Sequence, residues 1–247
     1  MKRRVSAESQ LRREICAAGR ALRELGYLPA AAGNLSARLA DGRILATPSG
    51  VPKGSLAPGH LILLGADGAP EQASKRSLRG HAAKKQPSSE IAMHLRIYAL
   101  RPDARAICHA HPAVATGLAA AGRALDSAVL GETAILLGAV PLAPYGAPGT
   151  DELPDSIAPL VTRANAVLLA NHGVVTFGET VRAAVERMEL VEHLARVTLV
   201  AELAGGAKLL TREQVAALVA SRERYGLPPL PAGAISWVLA EDRGEER

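Results

Sequence analysis

Aromatic residues, cysteines and long apolar runs are all scarce in this chain, and each shortage removes a class of function. Aromatic residues make up 2% of 247 residues, so the stacking platforms that hold single-stranded nucleic acid are missing. The net charge of +5 does not restore a nucleic-acid partner, because the basic residues are spread along the chain. The clusters at 1–4 and 75–85 read as solvated surface. A small anionic substrate suits the basic balance better. There are two cysteines, Cys16 and Cys108, which argues against a disulfide framework and fits a reducing compartment. No apolar run is long enough to cross a bilayer, and the stretch after Met1 leads into an amphipathic helix instead of an apolar signal core. The expectation is a soluble cytoplasmic protein with no membrane partner.

With 48% hydrophobic residues the chain can bury a sizeable core. No Pro- or Ser-rich linker, internal repeat or low-complexity tract divides it. One domain spanning 1–247 is expected, with a core over about 7–225 and a frayed polar tail. Leu11, Ile15, Leu22 and Leu25 share one helical face, and Gly26 ends that helix. Short strands at 34–39, 43–47 and 60–64 are separated by turn residues, which implies an antiparallel sheet. Helix and strand then alternate: a helix over 90–100, a strand at 106–111, a helix over 113–121, a strand near 139–145, and a further helix and strand. Helices over 180–203 and 211–225 close the chain.

What stands out is Ala106-Ile-Cys-His109-Ala-His111, with a third histidine about sixty residues later in Ala170-Asn-His172-Gly173. Successive side chains on a strand alternate faces, so His109 and His111 point the same way and Cys108 points away. A distant third imidazole would leave an open coordination position, the arrangement of a catalytic metal site. Two half-buried strand histidines are the bland alternative. Context favours a site, because His172 closes the apolar run Ala166-Val-Leu-Leu-Ala170 and precedes Gly173, where a sharp backbone turn is expected.

Three polar clusters precede the histidines: Gly33-Asn34, Thr47-Pro-Ser-Gly50 and Pro87-Ser-Ser-Glu90. Small hydroxyl and amide groups ahead of a helix N-terminus can cradle a phosphate. Turn formation and helix capping explain each cluster taken singly.

Together with Arg101-Pro-Asp103, His109-Ala-His111-Pro112, Ala143-Pro-Tyr145 and Ala170-Asn-His-Gly173, these clusters make an ordered set that resembles the class II aldolase/adducin family. The resemblance implies an α/β fold: a three-layer α/β/α domain around a mostly antiparallel sheet, assembled as a homotetramer. It implies zinc ligands at His109, His111 and His172, an acid/base carboxylate at Glu90, and phosphate-binding positions at Gly33, Asn34, Ser49, Gly50, Ser88 and Ser89. The reaction implied is aldol cleavage of a small ketose phosphate through a zinc-stabilised enediolate, as in the fuculose-phosphate branch. Decarboxylation of a phosphorylated sugar acid or dehydration of a thioribulose phosphate is the alternative in the same family. A non-enzymatic adducin-like module lacks the metal site that this chain retains.

The fuculose-phosphate branch carries a tyrosine where this chain has Leu130, which cannot protonate an aldehyde oxygen. His94, one helical turn after Glu90, is expected to pack or to make a hydrogen bond behind the site. His60, His81 and His193 have no supporting motif. Tyr145 is expected to be a structural residue at a strand end.

Overall fold

The structure, a computed structural model, describes residues 6–71 and 86–235. The basic clusters at 1–4 and 75–85, His81 and most of the polar tail lie outside the described residues.

Helix α1 (Ala7–Glu24) is capped by the Ser6 hydroxyl, which accepts the Ser9 amide, and it buries Ile15 and Leu22. Leu25 departs from the expected face. It is the C-cap residue, where the helix has already ended, and it stays 46% exposed. Strands β1 (Asn34–Arg38), β2 (Ile44–Ala46) and β3 (Ile62–Leu64) follow as a meander. Next come α2 (Ile91–Leu100), β4 (Ala106–Ala110), α3 (Ala113–Ala120) and α4 (Gly131–Leu136). The strand expected near 139–145 keeps only two residues, β5 (Leu142–Ala143). The chain continues through α5 (Glu152–Val161), β6 (Ala166–Leu169), β7 (Gly173–Gly178), α6 (Val181–Leu203) and α7 (Arg212–Ala220). Neither α4 nor β7 was anticipated from the sequence.

The seven strands form one sheet in the order β3-β2-β1-β4-β7-β6-β5. Every pair is antiparallel except β5 with β6. Alternation along each strand divides the core into two layers. Leu35, Leu45, Cys108, Leu168 and Val174 pack under α1, α3 and α6. Ile44, Ile107, Val167, Val175 and Phe177 pack under α2 and α5. The α/β fold with three layers and a mostly antiparallel sheet is the one the sequence led us to expect.

This topology fixes where the polar residues meet. Strand β4 is buried along its whole length because β1 and β7 flank it on both sides. His109 therefore emerges at the centre of the sheet, opposite Asn34 on β1 and Val175 on β7. Cys108 faces the other layer, as expected. The start of α3, directly after His111 and Pro112, is held by buried Glu192 of α6. Its carboxylate accepts the amides of Val114 and Ala115 at 3.3 and 2.9 Å, donors that a helix start cannot satisfy from within. Among the described residues no helix is long and apolar enough to cross a membrane.

Candidate metal centre

The three histidines converge. Their ligand atoms all lie within 4.8 Å of one another, and His111 Nε2 sits 3.0 Å from His109 Nε2. His109 comes from the last turn-free stretch of β4, His111 lies one residue beyond that strand, and His172 occupies the turn between β6 and β7. The turn is made by Asn171, not by Gly173 as the sequence suggested. Asn171 has φ 54°, a left-handed conformation that asparagine tolerates well. Gly173 begins β7 and serves by its smallness, since a Cβ there would lie 2.6 Å from His111 Cδ2. Gly33, at φ +68°, likewise lets the chain pass over the backbone of β4, where a Cβ would lie 2.6 Å from His109 O.

The hydrogen bonding suits a cation. His109 Nδ1 lies 2.9 Å from Val174 O, and a carbonyl only accepts, so Nδ1 carries the proton. The Nε2 lone pair of the neutral ring is then left facing the other histidines, which is the orientation a metal ligand needs. Burial pushes His109 well below the usual imidazole value, against the opposing pull of Glu90. Burial, followed by the charge of His172, lowers His111 as well. These two rings are held neutral at physiological pH and can coordinate without first losing a proton.

Glu90 stands at the head of α2, yet its side chain makes no capping hydrogen bond to the helix. That task falls to Ser88, whose hydroxyl accepts the Glu90 amide at 3.3 Å. The Glu90 carboxylate turns inward instead. Oε1 is 2.9 Å from His172 Nε2, Oε2 is 3.3 Å from His109 Nε2, and Asn34 Nδ2 donates to Oε2 at 2.6 Å. Burial alone would raise its pKa, but the imidazoles of His109 and His172 and the Asn34 amide outweigh burial and hold it below the usual carboxylate range. The resting group is an anion beside the histidines.

The three polar clusters also come together. An isolated bridge joins Pro48 to Pro87, Ser49 N donates to Gln86 O at 3.0 Å, and Ser88 N donates to Thr47 O at 3.3 Å. Asn34 Nδ2 reaches Ser88 Oγ at 3.1 Å. Gly33 and Asn34 are buried, Ser88 is partly buried, and Ser49, Gly50 and Ser89 are exposed at the rim.

Behind the site lies a buried chain the sequence reading only touched. His94 Nδ1 is 2.7 Å from Ser36 Oγ, which is 2.9 Å from the Tyr98 hydroxyl. His94 thus makes a hydrogen bond behind the carboxylate, as expected. Ser36 went unnoticed although it sits two residues after Asn34 on one strand face, a spacing that could have revealed it. His60 accepts the Ala57 amide and His193 is exposed, and neither joins the centre. Tyr145 lies near a strand end, as expected, but largely in solvent. It lies past the end of β5, 60% exposed. Leu130 is the N-cap residue of α4 and packs against the larger core layer.

Residues 13–199 match the model of the class II aldolase and adducin N-terminal domain. The chain belongs to this family. It is 36% identical over 201 residues to a 3-oxo-tetronate 4-phosphate decarboxylase of Pectobacterium atrosepticum, covering 79% of this chain and 87% of that one. To the L-fuculose phosphate aldolase of Escherichia coli it is 29% identical over 220 residues, covering 89% and 97%. The solved structure of YgbL from Escherichia coli superposes with a TM-score of 0.77 at 31% identity, covering 87% of this chain and all of that one. The aldolases of this family are metal-dependent, and the histidine cluster is a place where this chain can hold an ion.

Proposed function

We propose that this protein is a metal-dependent carbon–carbon lyase that decarboxylates a short phosphorylated 3-oxo sugar acid. The observation that carries this reading is the greater similarity to the 3-oxo-tetronate 4-phosphate decarboxylase than to the fuculose phosphate aldolase. It moves the balance from aldol cleavage, the first expectation from sequence, to the decarboxylase alternative. Leu130 supports the same choice. Aldol chemistry requires a group to manage the proton on the aldehyde oxygen, whereas departing carbon dioxide carries no such proton. A hydrocarbon at 130 is compatible with the second reaction and unhelpful to the first.

His109, His111 and His172 would hold the metal, and an all-imidazole donor set suits zinc among the divalent ions. When bound, the ion supplies positive charge beside the substrate oxygens on which negative charge develops. Glu90, ionised at rest, accepts the proton of the hydroxyl on the carbon next to the carboxylate. It returns that proton to the same carbon once carbon dioxide has left, and water reprotonates the oxygen. Asn34 holds the Glu90 carboxylate in position throughout. Gly33, Asn34, Ser49, Gly50, Ser88 and Ser89 receive the phosphate, with backbone amides and hydroxyls as donors. The working assembly we propose is a homotetramer in the cytoplasm.

The test is a direct comparison of substrates. Zinc-loaded protein is incubated with 3-oxo-tetronate 4-phosphate and, separately, with L-fuculose 1-phosphate, and carbon dioxide, triose phosphate and aldehyde are measured. We expect carbon dioxide release with the higher kcat/KM. Aldehyde formation from the ketose phosphate with the higher kcat/KM, and no carbon dioxide from the oxo acid, would return the protein to the aldolases.

A further inference from the structure

The phosphate cradle described above is made of side chains without charge. A phosphate dianion entering there finds no opposite charge among them, so a fixed cation close to the cradle has a clear electrostatic task. Lys53 is in place for it. It sits in a short 3-10 turn, Lys53–Ser55, three residues after Gly50, and is only 3% exposed. Its ammonium donates to Ala31 O at 2.6 Å, and Ala31 lies two residues before Gly33. The side chain therefore ties together the two segments that lead into the cradle. Among the described residues no carboxylate forms an ion pair with it, and Glu90 is the acidic group whose field reaches it, opposing the downward push of burial on its pKa.

Among the described residues one neutral carbonyl accepts from this buried ammonium, an expensive arrangement unless an anion completes it. Resting on the phosphate-cradle reading, we propose that Lys53 is a specificity-determining positioning residue. Its charge, held at Ala31 O two residues before Gly33, selects phosphorylated over unphosphorylated substrates. Lysine acts here as a point charge, which suits a role exerted through the field more than through a bidentate contact.

The experiment uses full-length, metal-loaded protein and two probes: inorganic phosphate, and glycolohydroxamate, an unphosphorylated metal chelator, each titrated by calorimetry. Lys53→Met removes the charge. Lys53→Gln removes it while keeping a donor for Ala31 O, and carries the test if the methionine variant does not fold. We expect phosphate to bind about tenfold or more weakly to the neutral variants. Metal content and glycolohydroxamate affinity should stay as in the wild type. Phosphate binding unchanged in a folded neutral variant overturns the proposal. So does an equal loss of both probes, which would mark Lys53 as a structural support. If wild-type protein binds glycolohydroxamate but no phosphate, the cradle reading itself fails, an outcome distinct from the other two.

Discussion

Replacing Gly173 by alanine should remove His111 from the metal centre without altering any ligand. A Cβ at this position would lie 2.6 Å from His111 Cδ2 and 2.7 Å from Ala110 O. Carbon atoms in ordinary contact stay about 3.5 Å apart or more, so a neighbour must retreat by about 1 Å. Ala110 cannot, because it is paired with Val174 within the sheet. His111 can, because it lies beyond the strand end and is partly exposed. Metal–nitrogen distances tolerate only about 0.2 Å, so a shift of about 1 Å forfeits one of three imidazoles. Backbone strain plays no part, since Gly173 is outside the positive-φ region. We expect zinc affinity to fall about a hundredfold, a loss of about 2.7 kcal/mol. Overpacking should also lower the stability of the metal-free protein by about 1–3 kcal/mol. Chelator competition measures the first and denaturant unfolding the second. A double-mutant cycle isolates the cause: in a His111→Ala background, Gly173→Ala should change metal affinity little further. Zinc binding by Gly173→Ala within about twofold of wild type would refute the steric reasoning.

Glu90→Gln should lower kcat about a hundredfold or more while leaving metal content intact, because the amide cannot carry the proton; unchanged turnover in metal analysis-verified protein would return Glu90 to a structural role. His94, pushed down to about 4 by burial, binds its proton more readily in the unfolded chain. Stability of the metal-free protein should therefore be full above pH about 6.5 and fall toward pH about 4, by up to about 1 kcal/mol per pH unit from this group. His94→Asn should remove that part of the slope in unfolding curves taken across the range, and an identical slope would refute the assignment. Leu130→Tyr should raise cleavage of L-fuculose 1-phosphate, by up to about a hundredfold if a neighbouring subunit brings the hydroxyl to the site. Product analysis on the intact assembly checks this, and no gain would show that position 130 does not face the substrate.

Part of the site's geometry was legible from local spacing. The i, i+2 placement of His109 and His111 requires only the pleat of a strand, and Cys108 duly faces the opposite layer. Ordered short motifs identified the family resemblance, and the turn residues between the first strands announced the antiparallel meander. What spacing could not decide is which distant segments meet. His172 joins the pair because β7, absent from the sequence reading, inserts between β4 and β6 and carries the Asn171 turn to the end of β4. Glu90 taken singly reads as a helix-start residue, and in the structure its carboxylate turns inward to Asn34 and two imidazoles. Gly173 looked like a turn glycine and is a spacer for His111, while Lys53 belongs to no motif and is buried beside Ala31. Periodicity is a property of neighbours along the chain, so the sequence by itself determined which side chains share a face. Strand order and cross-strand register are long-range pairings driven by burial of both sheet faces, and these alone decided the distances at which the groups act.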